Sequence, residues 1–205
     1  MTQGPFQPEH FAREDEGPDA AFYDGPRLVA HIDDGARAAL AQCLAETLPP
    51  GGSVLDLMAS YHSHLPEDGV RLAFGLGLNA EEMAQNVQLA GGVVADVNAG
   101  LALPFRDGAF DAAVLSVSIQ NATRPIDLIR ETARVLKPGA PFVVAYANRM
   151  FPTKAIRLWR VLSMDDRARL IAIYFREAGG FTDPLVRDLS PGAGDEIRAV
   201  IARRL

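Results

Sequence analysis

Apolar positions in this chain fall into two alternating patterns. Short apolar runs closed by a turn or an acid read as buried strands at 53–57, 70–75, 93–96, 110–116 and 142–147. Between them, apolar residues recur at helical spacing. Residues 36–48 place Ala39, Leu40, Cys43, Leu44 and Leu48 on one side, with Asp33 or Asp34 as the cap and Pro49-Pro50-Gly51-Gly52 as the stop. Asn79 suits the cap of a helix from Ala80, with Glu81 and Glu82 in its first turn and Gly91-Gly92 at its end. Pro66-Glu67-Asp68-Gly69 reads as a reverse turn. Pro125 opens a helix carrying Ile126, Leu128, Ile129, Ala133 and Leu136, which Lys137-Pro138-Gly139 breaks. Helices over 153–162 and 165–178 follow, then a closing strand pair at 185–189 and 197–203. The last segment also fits a helical stripe through Ile197, Val200, Ile201 and Leu205. Strands alternating with helices predict an α/β fold of parallel βαβ units with right-handed crossovers.

Composition narrows the class. The 205 residues are 48% hydrophobic and 22% charged, enough for a real core, and the net charge of −6 argues against nucleic acid as a default partner. The single cysteine, Cys43, lies in the apolar pattern of a helix; the chain therefore has no internal disulfide, which suits a reducing compartment. Residues 1–26 are rich in Gly, Pro and acids and read as an irregular arm with a loose tip, which Phe6, Phe11, Phe22 and Tyr23 are suited to pin to a single domain over 27–205. No signal-peptide order and no apolar run near the roughly 20 residues of a membrane span is present, so a soluble cytoplasmic protein is expected.

Candidate chemistry gathers at the end of the first strand. Val54-Leu55-Asp56 leads into a turn, Met58-Ala59-Ser60-Tyr61-His62-Ser63-His64, where a buried parallel strand delivers its chain to a crevice. His64 and His31 are candidate bases, since imidazole titrates near neutrality; each also suits a role in holding an irregular loop. His31, His62, His64 and Asp56 lack a recognisable ligand spacing, so no metal is expected. Tyr146, Asn148 and Arg149 follow the fifth strand and are candidates for substrate binding, Arg149 through its forked guanidinium. Gln120 and Asn121 occupy the lip after the fourth strand, and Lys154 is expected to reach solvent. Gly75-Leu76-Gly77-Leu78-Asn79-Ala80 also matches G-x-G-x-x-A, with Asp96 closing the next strand. That outline leaves an NAD(P)-binding oxidoreductase open.

Leu103-Pro104-Phe105-Arg106-Asp107-Gly108-Ala109-Phe110-Asp111 and Arg134-Val135-Leu136-Lys137-Pro138-Gly139 resemble stretches of the class I S-adenosylmethionine-dependent methyltransferases, in their type 11 group. The resemblance covers residues 36–150 and, more loosely, the rest. It implies a Rossmann-like, doubly wound, mostly parallel seven-stranded sheet with the last strand antiparallel. It also implies S-adenosylmethionine as cofactor and a small-molecule substrate. Cofactor contacts would come from Asp56, Met58, Ala59, Ser60, Gly77, Leu78, Asp96, Val97 and Ser116. The chain departs from the pattern twice. Met58, Ser60 and His62 stand where the family's loop carries glycines, and Gly77 stands where an acid usually accepts from the ribose. These losses motivate a second possibility, a non-catalytic binding or scaffold protein on the same fold. A group within the superfamily that shares Phe22-Tyr23, His31-Ile32-Asp33, Ser63-His64-Leu65-Pro66 and the run 148–155 is similar along almost the whole chain.

Overall fold

The computed structural model of the chain describes residues 4–66, 68–100 and 102–205, with the backbone alone at Arg71. The expected loose tip includes residues 1–3 and the expected reverse turn includes Glu67; these positions lie outside the described residues.

The strands are β1 (Gly52–Leu57), β2 (Val70–Gly77), β3 (Gly91–Val94), β4 (Ala112–Ser116), β5 (Pro141–Ala147), β6 (Leu185–Asp188) and β7 (Ile197–Arg203). The helices are α1 (Asp19–Phe22), α2 (Asp34–Thr47), α3 (Ala80–Gln85), α4 (Pro125–Val135), α5 (Arg157–Val161) and α6 (Met164–Ala178). All seven strands form one sheet in the order β3-β2-β1-β4-β5-β7-β6. β7 runs antiparallel to both of its neighbours, and the other pairings are parallel. The chain winds outward from β1 through β2 to β3, then returns to β4 on the other side. A crevice opens beyond the carboxyl ends of strands at such a switch point.

Strand alternation divides the core into two layers. Leu55, Leu57, Leu115, Phe142, Val144 and Tyr146 face α4 and α6, which contribute Ile126, Ile129, Ile171 and Phe175. Val54, Val114, Val143 and Ala145 face the other way, toward Leu40, Cys43 and Leu44 of α2. Burial in that layer pushes the Cys43 thiol up, away from the reactive thiolate.

The two motif stretches hold each other together at the end of the sheet away from the crevice. Arg134 donates to the Phe105 and Leu103 carbonyls at 2.8 and 3.0 Å while pairing with Asp107 and Glu131. Lys137 pairs with Asp111 at 2.6 Å, and Asp111 accepts from both the backbone N–H and the hydroxyl of Ser53. These donors hold the Asp111 carboxyl down at about 2. The two stretches that carry the resemblance thus staple α4 and β5 to the entry of β4.

Several boundaries differ from the sequence expectation. β2 runs on to Gly77, because Ala59 N–H donates to the Leu76 carbonyl at 2.8 Å and extends the pairing past β1. Gly91-Gly92 starts β3 rather than ending α3. That helix stops at Gln85, and Asn86 turns its amide to the Ser60 carbonyl and the Ser63 hydroxyl. Phe110 makes only a bridge to Leu136, so β4 begins at Ala112. The helix expected over 153–162 shrinks to Arg157–Val161, since Ile156 N–H is spent on the Gln120 carbonyl. The 197–203 segment is a strand, paired with β5 along its full length.

The N-terminal arm packs closely. Phe11 is buried, and Phe6 and Phe11 pack against Tyr174 of α6. Phe22 and Tyr23 pack against Phe151. Lys154 does not reach solvent as expected: it is fully buried, pairs with Asp15 at 3.0 Å and Asp19 at 3.1 Å, and donates to the Gly17 carbonyl at 2.8 Å. The arm supplies the carboxylates that make this burial tolerable.

Candidate functional site

A cavity of about 340 Å³ lies at the carboxyl ends of β1, β2, β3 and β4, where the switch point puts it. Asp56, Met58, Ala59, Ser60, Gly77, Leu78, Asp96, Val97, Ser116, His31, His64 and Arg149 all line it. Tyr146 and Asn148 do not. Strand alternation turns Tyr146 into the layer under α6, where its buried hydroxyl donates to the Met164 carbonyl at 2.6 Å. Asn148 is exposed and its N–H donates to the Glu196 carbonyl.

The turn after β1 solves a backbone problem without glycine. Met58 has φ 55° and His64 φ 56°, both in the left-handed region; across the cavity Val117, at the end of β4, has φ 48°. These are the positive-φ non-glycine residues of the described chain, and all three line this one cavity. Each such conformation costs about 1–3 kcal/mol and persists only where the surroundings enforce it. At Met58 the enforcement is the Ala59–Leu76 hydrogen bond, which draws the turn onto β2. So close is this approach that a Cβ on Gly77 would overlap the Ala59 carbonyl oxygen. An acid cannot occupy position 77. Gly75 is likewise packed, against Leu89 and Met83, and both glycines lie inside β2. The G-x-G-x-x-A match is therefore a packing feature of a strand and not a phosphate-binding turn.

Polar groups around the cavity are held under tension. Asp56 is 2% exposed, and one of its carboxylate oxygens has no partner in the chain. Burial pushes its pKa up to about 7, against the opposing hydrogen bond from Ser63. Burial drives His64 the other way, down to about 4, with the neighbouring His62 and Arg37 charges adding to the effect. His62 stacks on His64 with ring centroids 6.0 Å apart. Burial lowers His31 and His62 as well. Glu82, in the first turn of α3, accepts from Ser60 Oγ at 2.5 Å and from Arg27 N–H at 2.6 Å. It thereby joins the β1 turn to the arm. Two more buried acceptors are unpartnered: Gln120 Oε1 and Asn121 Oδ1, on lining residues that are 3% and 5% exposed. Leaving such a group unpaired costs about 1–3 kcal/mol.

The cavity also has walls that hydrophobic pattern alone did not reveal. Asp19, Tyr23 and Arg27 of the arm line it, as do Asn79, Glu82 and Asn98. Asn79 donates to the Tyr23 and Asp24 carbonyls, Asn98 to an Asp19 oxygen at 2.8 Å, and Asn121 to the Tyr23 hydroxyl. The Arg27 guanidinium sits 4.7 Å from the Phe22 ring centre and 5.5 Å from that of Phe151. The aromatic residues of the arm were the available signal, but their partner Phe151 lies more than a hundred positions away. Among the described residues no His, Cys, Asp and Glu group is arranged to hold a metal, and no helix is long and apolar enough to cross a membrane.

Comparison with known proteins agrees with this architecture. A family model for the Methyltransferase domain matches residues 51–144. A demethylmenaquinone methyltransferase of Beutenbergia cavernae is 36% identical over 102 residues, which cover 47% of this chain and 41% of that protein. The match thus spans less than half the length of this relative. Among solved structures, an S-adenosylmethionine-dependent methyltransferase from Aquifex aeolicus superposes with TM-score 0.60 at 16% identity, covering 98% of this chain and 100% of its own. The cyclase SpnF superposes with TM-score 0.61 at 18% identity, covering 90% and 91%. At such identity the likeness concerns the fold, and a fold hosts more than one chemistry. In its matched domain and its seven-stranded sheet, the chain is similar to the class I S-adenosylmethionine-dependent methyltransferases and shares their fold.

Proposed function

We propose that this protein is an S-adenosylmethionine-dependent methyltransferase acting on a small molecule, in the cytoplasm. The observation that carries the reading is the backbone of Met58: at φ 55° the turn after β1 keeps the left-handed shape that glycine would supply. The loss of glycine therefore changes the side chain at the turn and leaves its path intact.

The residues present fit the cofactor. The unpartnered oxygen of Asp56 suits an ammonium or another donor, Leu78 and Val97 offer apolar walls for a purine, and Asp96 suits an exocyclic amine. Gly77 offers no side chain, so Glu82 is the buried acid available on that side. Bound there, the cofactor would supply an activated methyl group on a sulfonium. The chain's own task is to orient a nucleophile and exclude water. His31 and His64 are the candidate proton acceptors. Burial lowers both, and His64, at about 4, is a weak base at pH 7. Arg149 is the substrate-binding candidate that lines the cavity; Tyr146 and Asn148 drop from that role. The small-molecule assignment draws on the enclosed cavity and on relatives named for quinone methylation. The lone buried Cys43 supports a reducing compartment.

Titration calorimetry with S-adenosylmethionine, S-adenosylhomocysteine and NADH tests this reading. Saturable binding of the first two is expected. Binding of NADH alone would overturn it, and a folded protein that binds none of the three would be a scaffold.

A further inference from the structure

A second cavity, an open groove of about 890 Å³, lies between the arm and the loops that leave β3 and lead into α4. Asp19, Asp96 and Asn98 line both this groove and the main cavity. On the arm side the groove is apolar. Phe6 and Phe11 pack edge to face there with ring centres 5.7 Å apart, flanked by Pro5 and Pro8. The groove also holds an unspent donor. The Arg13 side chain, 6% exposed, gives Nη1 to both Asp19 oxygens at 2.7 and 2.9 Å, and its Nε–H has no partner. A buried donor left unpaired is unfavourable, and an acceptor carried by a ligand relieves it. The charges say which acceptor fits. Arg13 is balanced by Asp19, Lys154 behind it by Asp15, and Arg124 by Asp127 at 2.8 Å. Glu16 and Asp96 line the groove with no ion pair among the described residues. The balance leans negative, which favours an uncharged carbonyl over a carboxylate.

Asn98 ties the groove to the main cavity. Its Nδ2 donates to Asp19 Oδ2 at 2.8 Å and to the Asn121 carbonyl at 3.0 Å. Its Oδ1 accepts from the Thr123 N–H at 2.8 Å and the Thr123 hydroxyl at 3.0 Å. A backbone N–H only donates, so Thr123 fixes which atom of the amide is the oxygen. The Asn98 N–H donates in turn to Asp96 Oδ1 at 2.8 Å. One side chain thus joins both walls of the groove to residues that line the main cavity. We propose that this groove is a second ligand site, which takes an uncharged carbonyl compound with an apolar body, its oxygen accepting from Arg13 Nε, and that its occupancy tightens binding in the main cavity. A ligand in the groove holds the arm against Asn98, and a ligand in the main cavity then meets walls already in place. Linkage makes the effect mutual. The choice of S-adenosylhomocysteine as the second ligand rests on the methyltransferase reading; the groove and its acceptor preference do not.

The test titrates the full chain with acetophenone, benzoate and ethylbenzene and follows backbone amides by NMR, with and without saturating S-adenosylhomocysteine. The amides of Ala12, Ala99 and Thr123 report on the groove, and those of Ala59, Leu78 and Val97 on the main cavity. Acetophenone is expected to shift the groove amides saturably and to bind about tenfold more tightly than the other two, the ratio that one buried hydrogen bond of ordinary strength gives. Arg13→Lys, which keeps the charge beside Asp19 and lacks the Nε–H, is expected to erase that preference. Should it not fold, Ala12→Trp, at an exposed position on the groove wall, is expected to block the site. Saturating S-adenosylhomocysteine is expected to tighten acetophenone about fivefold, and Asn98→Ala to abolish the gain. Equal binding of benzoate, shifts confined to the main-cavity amides, or a preference that survives in Arg13→Lys would overturn the site. An acetophenone affinity that S-adenosylhomocysteine leaves unchanged while binding would overturn the coupling. If S-adenosylhomocysteine does not bind at all, the methyltransferase reading falls, and the acceptor preference at the groove amides still decides the site.

Discussion

Position 77 is where the chain departs furthest from the methyltransferases it resembles, and the departure is enforced by packing. The Ala59 carbonyl fills the space a side chain would need, so Gly77→Asp, which restores the usual acid, is expected to break the site rather than repair it. Even Gly77→Ala should cost about 2 kcal/mol or more, read as a lower urea midpoint with the same slope. A midpoint within error of the unaltered protein would show that the turn can move away. Asp56 and His64 give a second prediction. Asp56 rises from 3.8 to about 7, so between those values the native state keeps a proton that the unfolded chain has released, and stability falls as pH rises. His64 drops from 6.5 to about 4, so there the unfolded chain holds the extra proton and stability climbs with pH. His31 and His62 add to the climb. The two trends oppose each other from about pH 4 to 6.5. Asp56→Asn removes the falling one, and its stability should climb more steeply across that range, by up to about 1.4 kcal/mol per pH unit. Parallel pH profiles for the two proteins would contradict a raised Asp56.

Among the elements, the arm and the α5 approach are held by charge as well as by aromatic packing. Lys154→Ala leaves Asp19 buried with Arg13 as its remaining cationic partner, and a loss of about 3 kcal/mol is expected, together with faster tryptic cleavage after Arg13. Unchanged cleavage would mean that the aromatic contacts alone hold the arm. This is also the scale at which the sequence was most and least readable. Strands β1, β4 and β5 were legible because burial on both faces leaves nearly unbroken apolar runs. The pairing of β7 with β5 was not, since Ile197, Val200 and Ile201 satisfy helical and extended spacing alike. The crevice end of β1 was legible from Asp56 and the polar turn after it. Its walls were less so: Asp19, Tyr23 and Arg27 reach the cavity through contacts with Asn98, Asn121 and Glu82, and no local pattern encodes a contact between distant segments. Lys154 was misjudged for the same reason, its carboxylate partners being more than a hundred residues upstream.

For the molecule as a whole, the cavity couples ligand binding to stability. S-adenosylhomocysteine at a hundredfold excess over its dissociation constant should add about 2.7 kcal/mol, a thermal shift of roughly 5–10 °C for a chain of this size. Removing residues 1–26 takes Phe11 out of the core and Asp19 and Tyr23 out of the cavity, so both the starting stability and the shift should fall. A truncated chain with an undiminished shift would place ligand binding on the sheet alone. The buried Lys154 has one more consequence, in the order of assembly. Its ammonium closes onto the Gly17 carbonyl across 137 positions, so this contact of the arm must wait for Lys154. Closing so long a loop is entropically costly and slow. The sheet through β5 can therefore form while the arm is still loose, and the mouth of the site is the last part of the protein to take shape. A ligand that arrives before docking finds an open trough; one that arrives later meets a wall.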